Sequence, residues 1–146
     1  AGKLLELVNQ AYEIIHPENT FLKGVTHVMF ADRVRSEGEK LVSRNAVVYM
    51  SGEIDRSPCG TGTSARTAVL YARGVLRRGQ IFENHSIIDS VFQSVAVDTL
   101  SYCGYDAVIP EITGSAHITG FGLWVLDPED DKAYGFQLDD RINIDI

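Results

Sequence analysis

The sequence lacks most features that would assign it at a glance. It has only two cysteines, Cys59 and Cys103, among 146 residues. That excludes a disulfide scaffold and makes a reducing, cytoplasmic setting the default expectation. Basic residues are few and scattered: 13 Lys and Arg stand against 20 Asp and Glu, for a net charge of −7. A nucleic-acid partner is therefore not expected. No apolar run reaches the length of a membrane span and no signal-peptide pattern opens the chain, so no membrane partner is expected either. Internal repeats, low-complexity segments and linkers are absent.

What is present is enough for a core. Hydrophobic residues make up 45% of the chain and charged residues 23%, a balance that excludes disorder and fits one domain, or one lobe of something larger. "KLLELVNQAYEIIHPE" places Leu4, Leu5, Val8, Ala11, Tyr12 and Ile15 on one helical face, with Pro17 marking the end. "GVTHVMFAD" and "NAVVYM" read as strands joined by the polar connection "RVRSEGEKLVSR". A second helix is expected from about Thr63, burying Ala65, Ala68, Val69 and Ala72, with Gly74 as its C-cap. Strands are expected in "SVFQSVAVDTL", "DAVIPEI" and "SAHITGFGLWVLD", and an edge strand in the tail "DDRINIDI". The fold class is α+β: many strands packed on, or wrapped around, one well-marked helix.

The stretch "EIDRSPCGTGTSARTAVLYARG", residues 53–74, admits several chemistries. A phosphate loop needs Gly-Lys-Ser/Thr after its glycines, but the first basic residue here is Arg66, inside the helix. "GTGTSA" fits a dinucleotide turn, with Glu83 further on as the ribose acid, which keeps an NAD-dependent dehydrogenase as an alternative. Against it, "SGEIDRSPC" separates the glycines from the preceding strand, and the βαβ alternation is missing. The third reading is a thiol at a helix start. The first amides of a helix have no internal partner, and the macrodipole makes that end positive. Gly60 and Gly62 let an anion approach closely, and a cysteine there is favoured as thiolate. Asp55 adds a carboxylate able to accept from an ammonium group, so this stretch can hold both ends of an amino acid beside a sulfur. The bland alternative is a structural cysteine in a Gly-rich turn. A Cys-dependent hydrolase is disfavoured because neither His85 nor His117 stands at a nucleophile–base spacing from Cys59.

The run "DRSPCGTGTSA" resembles the second active-site motif of the proline racemase family, which includes 4-hydroxyproline 2-epimerases and trans-3-hydroxyproline dehydratases. "HPE", "VIPEITGSAHITG" and "LDPED" followed by "GF" resemble family segments in the same order, so residues 1–146 resemble a single lobe, the C-terminal half of a two-lobe member. The resemblance implies a diaminopimelate-epimerase-like lobe, a strand-rich barrel-like sheet around a central helix, with substrate held between two lobes. It implies no cofactor and no metal. One thiolate removes the α-proton and a second thiol returns a proton to the opposite face. By position, Cys59 would be one of these thiols, the amides of Gly60 and Thr61 would hold the substrate carboxylate, and Asp55 the ring nitrogen. Tyr49 falls where the family places a ring-packing aromatic, and His27 where hydroxyproline epimerases often carry histidine, which favours 4-hydroxyproline over proline. A strand histidine satisfied by backbone is the competing reading of His27. The dehydratases usually carry threonine at the position of Cys59, so the cysteine favours racemisation or epimerisation.

The family's first-lobe motif, cysteine followed by glycine and histidine, is missing, and Asp89 stands where glycine is expected. The implied partners are a small amino-acid substrate and an N-terminal lobe, from the same gene or a separate chain. Homodimerisation through the cleft face is a further way to complete the site. A non-catalytic binding module of the same fold remains the alternative. Cys103 is expected as a packed thiol, and His16 as a cap or lobe contact.

Overall fold

The computed structural model describes residues 1–135, in two units: Ala1–Ser115, and a shorter unit from Ala116 onward. The first unit contains α1 (Gly2–Ala11), β1 (His27–Ala31), β2 (Arg35–Glu37), β3 (Lys40–Tyr49), α2 (Gly60–Ala72), β4 (Ile81–His85), β5 (Val91–Tyr102) and β6 (Tyr105–Thr113). The strands form one six-stranded sheet in the order β1-β3-β4-β5-β6, with β2 paired to β3. Only β3 and β4 run parallel, and α2 supplies the crossover that a parallel pair requires. Two helices with a strand-rich six-stranded sheet agree with the α+β class expected from the sequence.

Several elements differ from expectation. α1 stops at Ala11, because the chain beyond it turns back on itself: Ile15 bridges Lys23, and Gly24 N–H donates to the Ile14 carbonyl at 2.7 Å. Of its apolar face only Leu5 is buried. His16 caps the turn, its Nδ1 accepting from the amides of Glu18 and Asn19 at 3.2 and 3.1 Å. The polar segment 33–44 is not a loop. Gly38, at φ +63°, makes the tight turn that pairs β2 with the start of β3. β4 lies in a stretch where the sequence pattern predicts no strand. Residues 115–127 form no strand; Gly120 and Gly122 interrupt the apolar run there. The expected tail strand, 139–146, lies outside the described residues. Cys103 is exposed in the β5–β6 turn at φ +49°, not packed.

The helix α2 is where the sequence misleads most. Its sheet-facing residues are Thr63, Thr67 and Leu70, all buried, whereas Ala65, Val69 and Ala72 are exposed and Ala68 half-buried. Threonine is tolerated there because every hydroxyl is satisfied. Thr63 Oγ1 donates to the Pro58 carbonyl at 3.1 Å and accepts from Asn84 Nδ2 at 3.0 Å. The Thr67 hydroxyl lies 2.8 Å from the Thr63 carbonyl and 2.7 Å from the Ser94 hydroxyl. Beyond this polar seam the core is apolar: Leu41, Leu70, Leu76, Phe82 and Ala96 form one cluster, with Phe82 at 0% exposure. Gly74, at φ +68°, closes the helix as expected, its N–H donating to the Tyr71 carbonyl at 2.9 Å. Asp89 adopts φ +63°, a conformation that suits glycine, and its carboxylate pairs with Arg44.

Candidate active site

The helix begins at Gly60, one turn earlier than its apolar pattern suggests, so Cys59 is the N-cap. Its side chain takes the role an N-cap oxygen usually has: Sγ accepts from Gly62 N–H at 3.3 Å. The Cys59 carbonyl accepts from Thr63 N–H at 2.8 Å. The amides of Gly60 and Thr61 donate to no described residue, which leaves two free donors at the positive end of α2. Cys59 itself sits at φ +63° and ψ 119°, a strained conformation for a residue with a Cβ. Surrounding bonds hold it there. Asn45 Nδ2 and Thr63 Oγ1 both donate to the Pro58 carbonyl at 3.1 Å, and Ser90 Oγ donates to the Arg56 carbonyl at 2.8 Å.

A cleft of about 530 Å³ opens beside this helix start, and Cys59, Thr61, His27 and Tyr49 line it. The strand residues reach it by alternation: His27, Met29 and Ala31 share one face of β1, and His27 pairs in register with Tyr49 of β3. Their rings meet edge to face with centroids 4.4 Å apart. The Thr26 hydroxyl lies 2.6 Å from His27 Nδ1. The opposite wall is the stripe Gly62, Ala65, Arg66 and Val69 of α2. Of these, Ala65 and Val69, expected to face the core, face the cleft. A Cβ on Gly62 would lie 2.5 Å from Met29 Cε, so the end of that flexible side chain would have to move aside. A larger depression, about 760 Å³, lies around Lys40, Arg77 and Arg78, but it offers no thiol or hydroxyl and its charges are mixed.

Asp55 does not itself line the cleft; it reaches the lining through Tyr49, whose hydroxyl donates to Oδ2 at 3.0 Å. Oδ1 accepts from the Ser57 N–H and Oγ–H, both at 2.8 Å. Burial alone would raise the Asp55 carboxyl, but the bonds from Ser57 and Tyr49 outweigh it and hold the group below its ordinary value. The same bond to Asp55, helped by burial, pushes the Tyr49 phenol up. Glu83, the acid of the dinucleotide alternative, is taken up by Lys40 at 2.8 Å and His85 at 2.9 Å.

Removing one of the Asp55 donors tests this account. In Tyr49→Phe the Asp55 carboxyl is expected to titrate closer to its ordinary value, read by ¹³C NMR. Because the native value is lowered, the stability Asp55 contributes is present above the unfolded carboxyl range and is lost as pH falls through the native value. The variant has less to lose, so its stability should fall less on acidification. An unmoved Asp55 titration would count against the bond.

All six residues singled out from sequence fall at or next to this helix start or in the strands facing it. The residues missed are Met29, Arg66 and Ser57. Period-two alternation from His27 would have found Met29, and the i, i+4, i+7 stripe from Gly62 would have found Arg66 beside Val69. The Asp-x-Ser spacing of an Asx turn would have marked Ser57.

The family profile described as "Proline racemase" matches residues 1–137. The chain is 41% identical over 138 residues to a proline racemase of Clostridioides difficile, covering 94% of this chain and 41% of that protein. It is also 41% identical over 137 residues to a trans-3-hydroxy-L-proline dehydratase of Bacillus thuringiensis, covering 94% and 40%. Among solved structures, a hydroxyproline epimerase from Agrobacterium vitis with bound trans-4-hydroxy-L-proline superposes with a TM-score of 0.73 at 38% identity, over 94% of this chain and 39% of that one. The chain thus spans about two fifths of the length of these relatives.

Proposed function

Because the chain belongs to the proline racemase family, we propose that it forms one lobe, the C-terminal one, of a cofactor-independent racemase or epimerase of proline-type amino acids, 4-hydroxyproline or proline. The observation that carries this reading is the meeting of Cys59, Thr61, His27 and Tyr49 in one cleft, beside the unpartnered amides of Gly60 and Thr61.

In this mechanism the substrate carboxylate sits on those two amides, and its ring nitrogen, as ammonium, reaches Asp55 at the edge of the cleft, beside the Tyr49 hydroxyl. The Cys59 thiolate takes the α-proton and becomes a thiol. The electron pair left at Cα delocalises into the carboxylate, where the helix start stabilises the added charge. A thiol on the opposite face then gives its proton to Cα and becomes the thiolate. That second thiol comes from a facing lobe of diaminopimelate-epimerase type, encoded by the same gene or a separate chain, or from a second copy of this one. Tyr49 packs on the ring, and His27 takes a hydroxyl on it, which favours 4-hydroxyproline. A thiol at position 59 supports return of a proton over loss of water, and so epimerisation over dehydration.

One observation favours a second reading, a non-catalytic module: the chain brings a single thiol to the cleft, since Cys103 lies in the β5–β6 turn. The full-length gene product in D₂O separates the two. The proposal expects deuterium at Cα with inversion for proline or 4-hydroxyproline, and competition by the planar anion pyrrole-2-carboxylate. No deuterium in either substrate would sink it, and an unsaturated product from trans-3-hydroxyproline without inversion would move the assignment to the dehydratases.

A further inference from the structure

We infer that Ser57 is a positioning residue of this site, its single hydroxyl tying the carboxylate of Asp55 to the backbone of Cys59. The inference deepens the function proposed above and rests on it for the roles of those two residues. Ser57 Oγ–H donates to Asp55 Oδ1 at 2.8 Å, and the same oxygen accepts from Cys59 N–H at 3.0 Å. The Ser57 amide adds a second bond to Oδ1 at 2.8 Å, closing an Asx turn. One rigid loop therefore sets both the group that would hold the substrate nitrogen and the residue that would carry the base.

Cys59 needs such an anchor. At φ +63° its backbone does not hold itself in place, and its N–H has no partner other than Ser57 among the described residues. The Cys59 carbonyl and sulfur are fixed by α2, to Thr63 N–H and Gly62 N–H, so Ser57 supplies the fixing on the N-terminal side. Without the hydroxyl, the Asp55 carboxylate loses one of its donors and the Cys59 amide loses its acceptor. The distance between ammonium site and sulfur is then no longer set. A misplacement of about 1 Å in such a site lowers rate by roughly 100-fold.

The test compares Ser57→Ala with Ser57→Thr in the full-length gene product. Ser57→Ala is expected to lower deuterium exchange at Cα by roughly 10- to 100-fold and to raise KM as well as lower kcat, because both ends of the relay are loosened. Ser57→Thr, which keeps the hydroxyl, is expected to recover most of the loss. Unchanged kcat and KM in Ser57→Ala would overturn the inference. So would equal losses in both variants, or a loss accounted for by the unfolded fraction in a denaturation curve. If the unaltered protein exchanges no α-proton, the proposed function fails, and the relay is then judged on Cys59 alkylation by iodoacetamide. There Ser57→Ala should change the rate at least about fivefold, with Ser57→Thr close to the parent, and an unchanged rate overturns the relay.

Discussion

Cys59→Ser is expected to lower α-proton exchange by about 10²- to 10⁴-fold, the range a positioned acid–base group supplies. An alcohol is a far weaker acid than a thiol, so the serine would rarely be present as the base. The fold should not suffer. Cys59 caps α2 through a sulfur that accepts from Gly62 N–H, and a serine oxygen is a better cap for that amide. Activity and stability should therefore part company: exchange collapses while the unfolding midpoint stays put or rises. A variant that keeps more than a tenth of the exchange rate would remove Cys59 from the reaction. A variant that loses exchange only in step with its folded fraction would assign it a structural role.

Phe82→Ala carries the largest expected effect on stability. Phe82 is fully buried, pairs in register with Leu41 and Ser94, and joins the cluster that Leu70 of α2 rests on. Truncating a buried phenylalanine removes its transfer free energy and leaves a cavity, for a loss of about 3–5 kcal/mol. That is a large share of the roughly 5–15 kcal/mol typical of a folded protein. Urea denaturation should show the midpoint falling with little change in slope. A loss below about 1 kcal/mol would mean that the cluster collapses freely into the vacated space.

The site was more legible than the fold around it. "DRSPCGTGTSA" carries its chemistry in local order, so Cys59, Gly60, Thr61 and Asp55 are legible in the sequence. The strand residues His27 and Tyr49 could be placed through the resemblance alone, because β1 and β3 meet only in the folded sheet. The orientation of α2 departs from its apolar pattern for a definite reason. Apolar periodicity assumes that the buried face is the apolar one, and here Thr63 and Thr67 are inside while Ala65 and Val69 wall the cleft. A threonine whose partners lie on distant strands looks, in sequence, like a solvent-facing threonine. β4 is hard to read because "IFENHS" mixes Phe82 with polar residues, of which Asn84 is buried with its amide bonded to Thr63.

The polar seam under α2 also bears on how far that helix can slide. Apolar packing resists sliding through interlocked side chains but carries no directional bond that names one position. Hydrogen bonds from Asn84 to Thr63 and between Thr67 and Ser94 add that direction. A displacement along the axis would stretch both together, in a buried setting where unmade bonds are expensive. The helix is keyed to the sheet like a shaft to its hub. Its first amides, and the sulfur beside them, keep a fixed address without any residue in the cleft having to hold them there.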